Sequence, residues 1–309
     1  MLVKLKNIPK EPTIRILAEC FITVVLFVIS CKFYKLYKGL VKRGFFCDDE
    51  SLKYPYHEDS VSVTLLLTLS LYVPITVMVF CEIVLFLVGR RRCTTVQDKG
   101  FARAFLKLHH NITPFVCGFA LHTLFMHVAK ITLGRLRPHF FEVCQPYRTS
   151  DDTTCDSPKN HGLYIEDYEC SNPYSTRYML YNVHLSFPSG HSGSIFYGMI
   201  FIILYLQRFS KTLSQCRINI GLFMMVAQML CALLAWFVAL SRVMDYKHHW
   251  SDVLVGIMLG TSVAIAVTLY VCQQLKSVND LHEGVNSSNS ETTSTTTFTA
   301  TTANSILVK

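Results

Sequence analysis

The sequence predicts an all-α integral membrane protein, a bundle of six transmembrane helices with an ordered extramembrane loop. Three observations carry this. Hydrophobic residues make up 51% of the 309 and charged residues only 16%, against about 25% charged in soluble domains. Six apolar runs each come close to the ~20 residues that a bilayer crossing needs. Lys and Arg gather in the short segments between those runs, so the formal charge of +8 reads as a topology signal and not as the footprint of a nucleic-acid partner.

Residues 1–13 are polar and basic (Lys4, Lys6, Lys10). No small-residue cleavage site follows a compact apolar core, so a retained membrane segment is expected rather than a signal peptide. The first span, 14–31, is the weakest, being interrupted by Arg15 and Glu19. A polar loop, 32–60, precedes the second span, 61–88, which contains Pro74. A membrane helix accepts such a proline when neighbours satisfy the freed backbone groups. Arg90-Arg91-Arg92 ends that span, and a basic connector leads to the third, 112–133. Segment 134–187 is long and acidic and is expected to be an ordered loop outside the membrane. The remaining spans are 189–206, 218–240 and 250–275, the first two joined by a connector carrying Arg208, Lys211 and Arg217. The Ser-, Thr- and Asn-rich tail, 276–309, has too few apolar groups to fold. The predicted organisation is thus an N-terminal segment 1–13, a membrane domain 14–275 and a disordered tail.

Six crossings put both termini on one side. Segments 1–15, 89–111 and 207–217 carry Lys and Arg at about twice the density of the other three connections, which makes the termini cytoplasmic. The loop 32–60, with Lys or Arg at six positions, runs against this. The twelve cysteines form no CxxC array, so no zinc site is expected. Four lie in polar segments, Cys47, Cys144, Cys155 and Cys170. They are either free thiols or, in an oxidising compartment, two disulfides with three connectivities open.

Three polar clusters carry the chemistry. Ser241 to Asp252, between the fifth and sixth spans, offers Arg242, His248 and Asp252. If a helix begins there, the i,i+4 spacing lets Asp252 hold one ring nitrogen of His248 and leaves the other as a base or nucleophile. His249, three residues from Asp252, is set aside. Lys130 and Arg137 close the third span seven residues apart, on one helix face, and as cations they suit a phosphate. Arg135 between them is read as a membrane-boundary charge. Ser186-Phe187-Pro188-Ser189-Gly190-His191-Ser192 opens the fourth span. There Gly190 lets the backbone approach a ligand, helix-start N–H groups cradle an anion, and His191 stands by as a proton donor. Each cluster alone could be a polar turn or a capped helix end. Because crossings alternate, all three emerge on one side, and together they fit a phosphate monoester site.

The pattern Lys-x6-Arg-Pro, Pro-Ser-Gly-His and Ser-Arg-x5-His-x3-Asp resembles the type 2 phosphatidic acid phosphatase superfamily and, within it, the animal lipid phosphate phosphatases. The stretches 43–50, 134–140 and 245–252 support the likeness, which covers roughly residues 10–275. It implies the fold of that superfamily and a site on the extracellular or luminal face, most simply at the plasma membrane. It also implies that His248 is a nucleophile forming a phosphohistidine, that Asp252 orients it, and that His191 is general acid and then base. Lys130, Arg137, Ser189, Gly190 and Arg242 would form the phosphate cradle. The implied substrates are phosphatidate, lysophosphatidate, sphingosine 1-phosphate and ceramide 1-phosphate, met at the lipid bilayer; self-association is left open. No acidic cluster accompanies these residues, so no metal and no cofactor is expected, and activity should not need magnesium. A catalytically silent interaction protein of the same superfamily is the competing reading, but such a chain should have lost motif residues and this one retains them all. A phosphatase for a sugar phosphate or a polyprenyl diphosphate shares the same phosphate contacts, and only the stretches outside the motifs argue against it. Loop 134–187 lacks an Asn-x-Ser/Thr acceptor, although relatives are glycosylated there. His122 and His127 are expected to be satisfied bundle residues, and Glu19 and Glu82 are intramembrane acids without an evident partner.

Overall fold

A computed structural model describes residues 10–36, 41–92 and 101–274. The expected tail 276–309 and the first nine residues lie outside the described residues. In chain order the elements are α1 (Lys10–Leu36), β1 (Phe45–Phe46), α2 (Val63–Leu67), α3 (Val73–Arg92), α4 (Phe101–Leu133), α5 (Phe140–Cys144), β2 (Pro146–Arg148), β3 (Tyr164–Ile165), β4 (Tyr168–Cys170), α6 (Arg177–Asn182), α7 (Gly190–Gln215) and α8 (Gly221–Met244). A last helix, α9, runs from Trp250 to Gln274. Among the described residues six helical stretches are long and apolar enough to cross a membrane: 14–33, 63–88, 104–133, 190–215, 221–244 and 250–274. The chain is a six-helix integral membrane protein. It parts into two compact units, the first ending at Val267 and the second beginning at Thr268 within α9.

Two boundaries differ most from the sequence reading. Helix α4 begins at Phe101 rather than near 112, and α7 continues to Gln215 rather than ending near 206. In both cases the helix outlasts its apolar run. Polar side chains bond the backbone of the added turns: Asn111 donates to the Lys107 carbonyl at 2.9 Å in α4, and Thr212 to the Arg208 carbonyl at 3.1 Å in α7. Hydropathy marks the slab a helix crosses, while hydrogen bonding marks where it stops.

Between α2 and α3 the helix widens into one π turn, Thr68–Tyr72. Pro74 follows immediately and would collide with the carbonyl four residues back in a regular helix, so the widened turn absorbs it. Helix α7 presses on this turn: a Cβ at Gly198 would run into the Ser70 backbone. The α7–α9 contact is equally close, since side chains at Gly256 and Gly260 would strike the Ser189 and Gly193 carbonyls. Small residues let membrane helices approach backbone to backbone. Here the approach brings the start of α9 against the start of α7. The bundle core is aromatic and aliphatic (Met78, Phe115, Phe119, Ile195, Tyr197, Phe201). Leu222, Phe223, Met229, Leu233 and Phe237 of α8 are exposed, as a lipid-facing surface requires.

Outside the membrane, β1 pairs antiparallel with β3 and β2 with β4, around a second core of Phe45, Phe140, Val143, Tyr168 and Val183. The four polar-segment cysteines form Cys47–Cys155 and Cys144–Cys170. The first bond ties the loop before α2 to the long loop after α4. The intramembrane acids also have partners: Glu19 binds Arg15 at 2.9 Å and His109 at 3.3 Å, and Glu82 accepts from the Tyr205 hydroxyl at 3.0 Å. Asn111 is buried and donates to the Lys107 carbonyl at 2.9 Å. His127 bonds the Ser30 carbonyl at 3.0 Å. His122 departs from expectation: it is fully buried, neither ring nitrogen has a hydrogen bond among the described residues, and it is held by stacking on Tyr197.

Candidate active site

Helix α4 stops at Gly134, whose φ of +55° places it in the left-handed region and whose N–H closes on the Lys130 carbonyl at 3.1 Å. Glycine at this position ends a helix without a Cβ penalty. The chain then turns sharply, and Arg137 and His139 enter a pocket whose wall also includes His191, Arg242, Lys247 and His248. The structure thus gathers Arg137, His191, Arg242 and His248 on one pocket. Lys130, Ser189, Gly190 and Asp252 stand behind that wall. Lys130 is buried and donates from Nζ to the Leu185 carbonyl at 2.8 Å, its stem passing 3.9 Å from where a Gly190 side chain would begin.

Ser189 is the N-cap of α7, its hydroxyl accepting the Ser192 N–H. Its own N–H donates to the Asp252 carbonyl at 2.9 Å, and the residue is fully buried. It therefore joins α7 to α9, and its polar atoms already have partners. His191, the second residue of α7, approaches the Val61 carbonyl with Nε2 at 3.1 Å. A carbonyl only accepts, so Nε2 carries the proton and Nδ1 is left to exchange one.

His248 is seated differently from the sequence expectation. Its Nδ1 lies 2.6 Å from the Ser186 carbonyl but 3.9 Å from the Asp252 carboxylate, beyond a hydrogen bond. The reason is where α9 begins. Trp250 is its first helical residue, so His248 lies outside the helix and the i,i+4 relation does not hold. Asp252 instead occupies the third helical position, where a carboxylate reaches back to the cap. It accepts the His249 N–H at 3.0 Å and lies 3.3 Å from the His249 ring. Two further bonds complete it, Arg135 Nη1 at 2.6 Å and the Ser186 hydroxyl at 2.6 Å. The residues set aside, Arg135 and His249, hold the buried acid. Ser186 couples acid to imidazole, giving its hydroxyl proton to Asp252 while its carbonyl receives the His248 Nδ1–H.

That bond fixes the tautomer: the lone pair of His248 is on Nε2. Burial pushes the imidazole well below its ordinary value, and the charges of Arg137, Lys130 and Arg242 push the same way, so the ring is neutral near pH 7. A neutral imidazole with a free Nε2 is the nucleophilic form.

The loop before α2 supplies contacts that no motif announced. Asp59 pairs with the buried guanidinium of Arg242. Burial would raise its carboxyl, yet Arg242, with Lys247 and His191, holds it below the usual range. Ser60 bonds both oxygens of Asp245, N–H at 2.9 Å and hydroxyl at 2.6 Å, and Val61 provides the carbonyl for His191. Three successive residues thus brace three parts of the site. His139 donates from Nδ1 to the Tyr246 carbonyl at 2.8 Å, and burial, with Arg137 beside it, brings its ring down to about 3. It stays neutral and is a wall of the pocket. Among the described residues no three His, Cys, Asp or Glu side chains are grouped to hold a metal ion.

Comparison with known proteins follows the same residues. Positions 111–276 match the family model described as the PAP2 superfamily. A Drosophila melanogaster protein provisionally named a phosphatidate phosphatase is 38% identical over 256 residues, 77% of this chain and 63% of that one. Phospholipid phosphatase 1 of Rattus norvegicus is 35% identical over 253 residues, 78% of this chain and 79% of the relative. Phospholipid phosphatase 2 of Homo sapiens is 32% identical over 238 residues, 76% and 75% of the two chains. This chain therefore spans under two thirds of the fly protein and over three quarters of the rat one. No solved structure matches it.

Proposed function

This chain belongs to the PAP2 superfamily, and from that premise we propose that it is a lipid phosphate phosphatase working through a phosphohistidine on His248. The observation that carries the reading is the seating of His248, with Nδ1 committed to the Ser186 carbonyl and Nε2 left bearing the lone pair beside Arg137 and Arg242. In the first half-reaction Nε2 bonds to phosphorus, the bond from phosphorus to the lipid oxygen breaks, and His191, protonated at Nδ1, hands that proton to the departing alkoxide. In the second, His191 takes a proton from water, the water oxygen bonds to phosphorus, and the phosphorus–nitrogen bond breaks to release phosphate. Arg137 and Arg242 stabilise charge on the transferring group directly, and Lys130 adds a positive charge from behind the wall. Asp252 acts through Ser186 and does not touch the ring.

The substrates are lipids carrying a phosphate monoester: phosphatidate, lysophosphatidate, sphingosine 1-phosphate and ceramide 1-phosphate. A site at the end of the bundle lets the chains stay in the bilayer while the headgroup reaches the pocket. The two disulfides in the loops around the site support an extracellular or luminal face, with both termini cytoplasmic. The plasma membrane fits this orientation.

The test is phosphate release by the purified full chain in detergent from each of the four lipids, with and without a chelator. Release from at least one is expected, and the rate with chelator should stay within about twofold of the rate without it, because Arg and Lys supply the charge a metal would supply elsewhere. No release from any lipid phosphate would favour the silent-member reading. Loss of release on chelation, restored by magnesium, would overturn the metal-free mechanism.

A further inference from the structure

Lys247, next to the proposed nucleophile, fills an unspecified position of the third motif. It is 3% exposed and lines the same pocket as His248, Arg137 and Arg242. Its Nζ makes no hydrogen bond among the described residues and sits 3.7 Å over the Tyr56 ring. Tyr56 is held in turn, its backbone N–H bonded to Glu142 at 2.6 Å and its ring meeting the His139 ring nearly at a right angle. A π face attracts an ammonium but offers its N–H donors no acceptor, and as Lys247 lines the pocket those donors are open to the oxygens of an anion that enters it. We infer that Lys247 is a substrate-contacting residue of this phosphatase, its ammonium presented by Tyr56 to a non-bridging oxygen of the phosphate on which His248 acts.

The inference rests on the proposed phosphatase function and deepens it. The backbone supports it: the Lys247 and His248 N–H groups both donate to the Arg242 carbonyl, at 3.1 and 3.2 Å, so the Lys247 and Arg242 cations and the nucleophile are carried by one tight turn at the end of α8. The groups facing Lys247 are Tyr56 and Asp59 from the loop before α2, Arg137 and His139 after α4, His191 at the start of α7, and Arg242, Asp245 and His248 on its own turn. Burial lowers the ammonium from its usual range to about 8; Asp59 and Asp245 oppose the shift and Arg137 and Arg242 add to it. The sign is then fixed. Below about pH 8 the ammonium is charged and attracts the phosphate, and above it the attraction is lost.

The experiment measures KM, kcat and competitive inhibition by inorganic phosphate from pH 6.5 to 9.5, for the wild type, Lys247→Gln and Lys247→Arg. In the wild type kcat/KM should fall above about pH 8. In Lys247→Gln, KM should rise and phosphate inhibition weaken by about tenfold each, with kcat changed less and the alkaline fall absent. Lys247→Arg should restore both affinities to within a few-fold and move the fall out of the range. The two affinities separate the sources of the anion: equal weakening places Lys247 on the phosphate itself. Weakening toward the lipid alone would place it on the rest of the headgroup and overturn the inference, as would unchanged KM or an unchanged alkaline fall in Lys247→Gln. If Lys247→Gln is not recovered folded, the Lys247→Arg profile decides: a fall still centred near pH 8 overturns the inference. Absence of any turnover by the wild type would count against the phosphatase reading, while an active wild type lacking this pattern would sink only the role of Lys247.

Discussion

His248→Ala is expected to lower phosphate release by more than a factor of about a thousand while the protein remains folded. The seating of the proposed nucleophile is not duplicated in the pocket: His191 is tied to the Val61 carbonyl and His139 to the Tyr246 carbonyl, and neither is linked through Ser186 to Asp252 as His248 is. Residues that act as one catalytic unit lose nearly everything when one is removed. The structural cost is smaller. The variant strands the Ser186 carbonyl without its donor, about 1–3 kcal/mol, and leaves a cavity open to the pocket. Phosphate release and thermal unfolding in detergent check both halves. A folded variant retaining a tenth of wild-type turnover would remove His248 from the mechanism. In the wild type, a rapid quench at alkaline pH should recover an acid-labile phosphoryl group on the protein, and none from the variant.

Arg135→Met carries the second large effect. Asp252 is completely buried, and its carboxylate accepts from Arg135, Ser186 and His249. Removing the cation of a buried pair costs about 3–5 kcal/mol. The Arg135 side chain is 35% exposed, however, so solvent screens part of this, and about 1–3 kcal/mol is expected. Catalysis should suffer more than stability. An under-compensated Asp252 pulls on Ser186, and the Ser186 carbonyl sets the His248 ring. We expect kcat to fall by about ten- to a hundredfold with KM changed little, and Arg135→Lys to recover part of it. If Arg135 only marks the membrane boundary, neither parameter will move.

Those two residues also show what the sequence could and could not convey. Six crossings were legible because the bilayer demands about twenty apolar residues from each. The convergence of Arg137, His191, Arg242 and His248 followed from alternation of crossings, without any knowledge of packing. The internal wiring did not follow. The spacing of His248 and Asp252 suggested a direct bond, but spacing has that meaning only inside a helix, and α9 starts two residues after His248. Arg135 looked like a boundary charge because its partner lies 117 positions away. Asp59 and Lys247 had no motif to mark them. Their signal was faint: a carboxylate and a tyrosine in a polar loop, and a lysine beside His248. Disulfide pairing stayed open among three connectivities because nothing short of the β1–β3 and β2–β4 registers brings the partners together.

The Cys47–Cys155 link has a consequence for the enzyme's life history. Among the described residues it is the one disulfide between the segment bearing Tyr56, Asp59 and Val61 and the segment that follows Arg137. On the proposed orientation, a newly made chain cannot forge it until those loops have left the reducing cytosol. Helices would insert first and the pocket would mature afterwards, so lipids on the side of synthesis would meet only an unfinished catalyst.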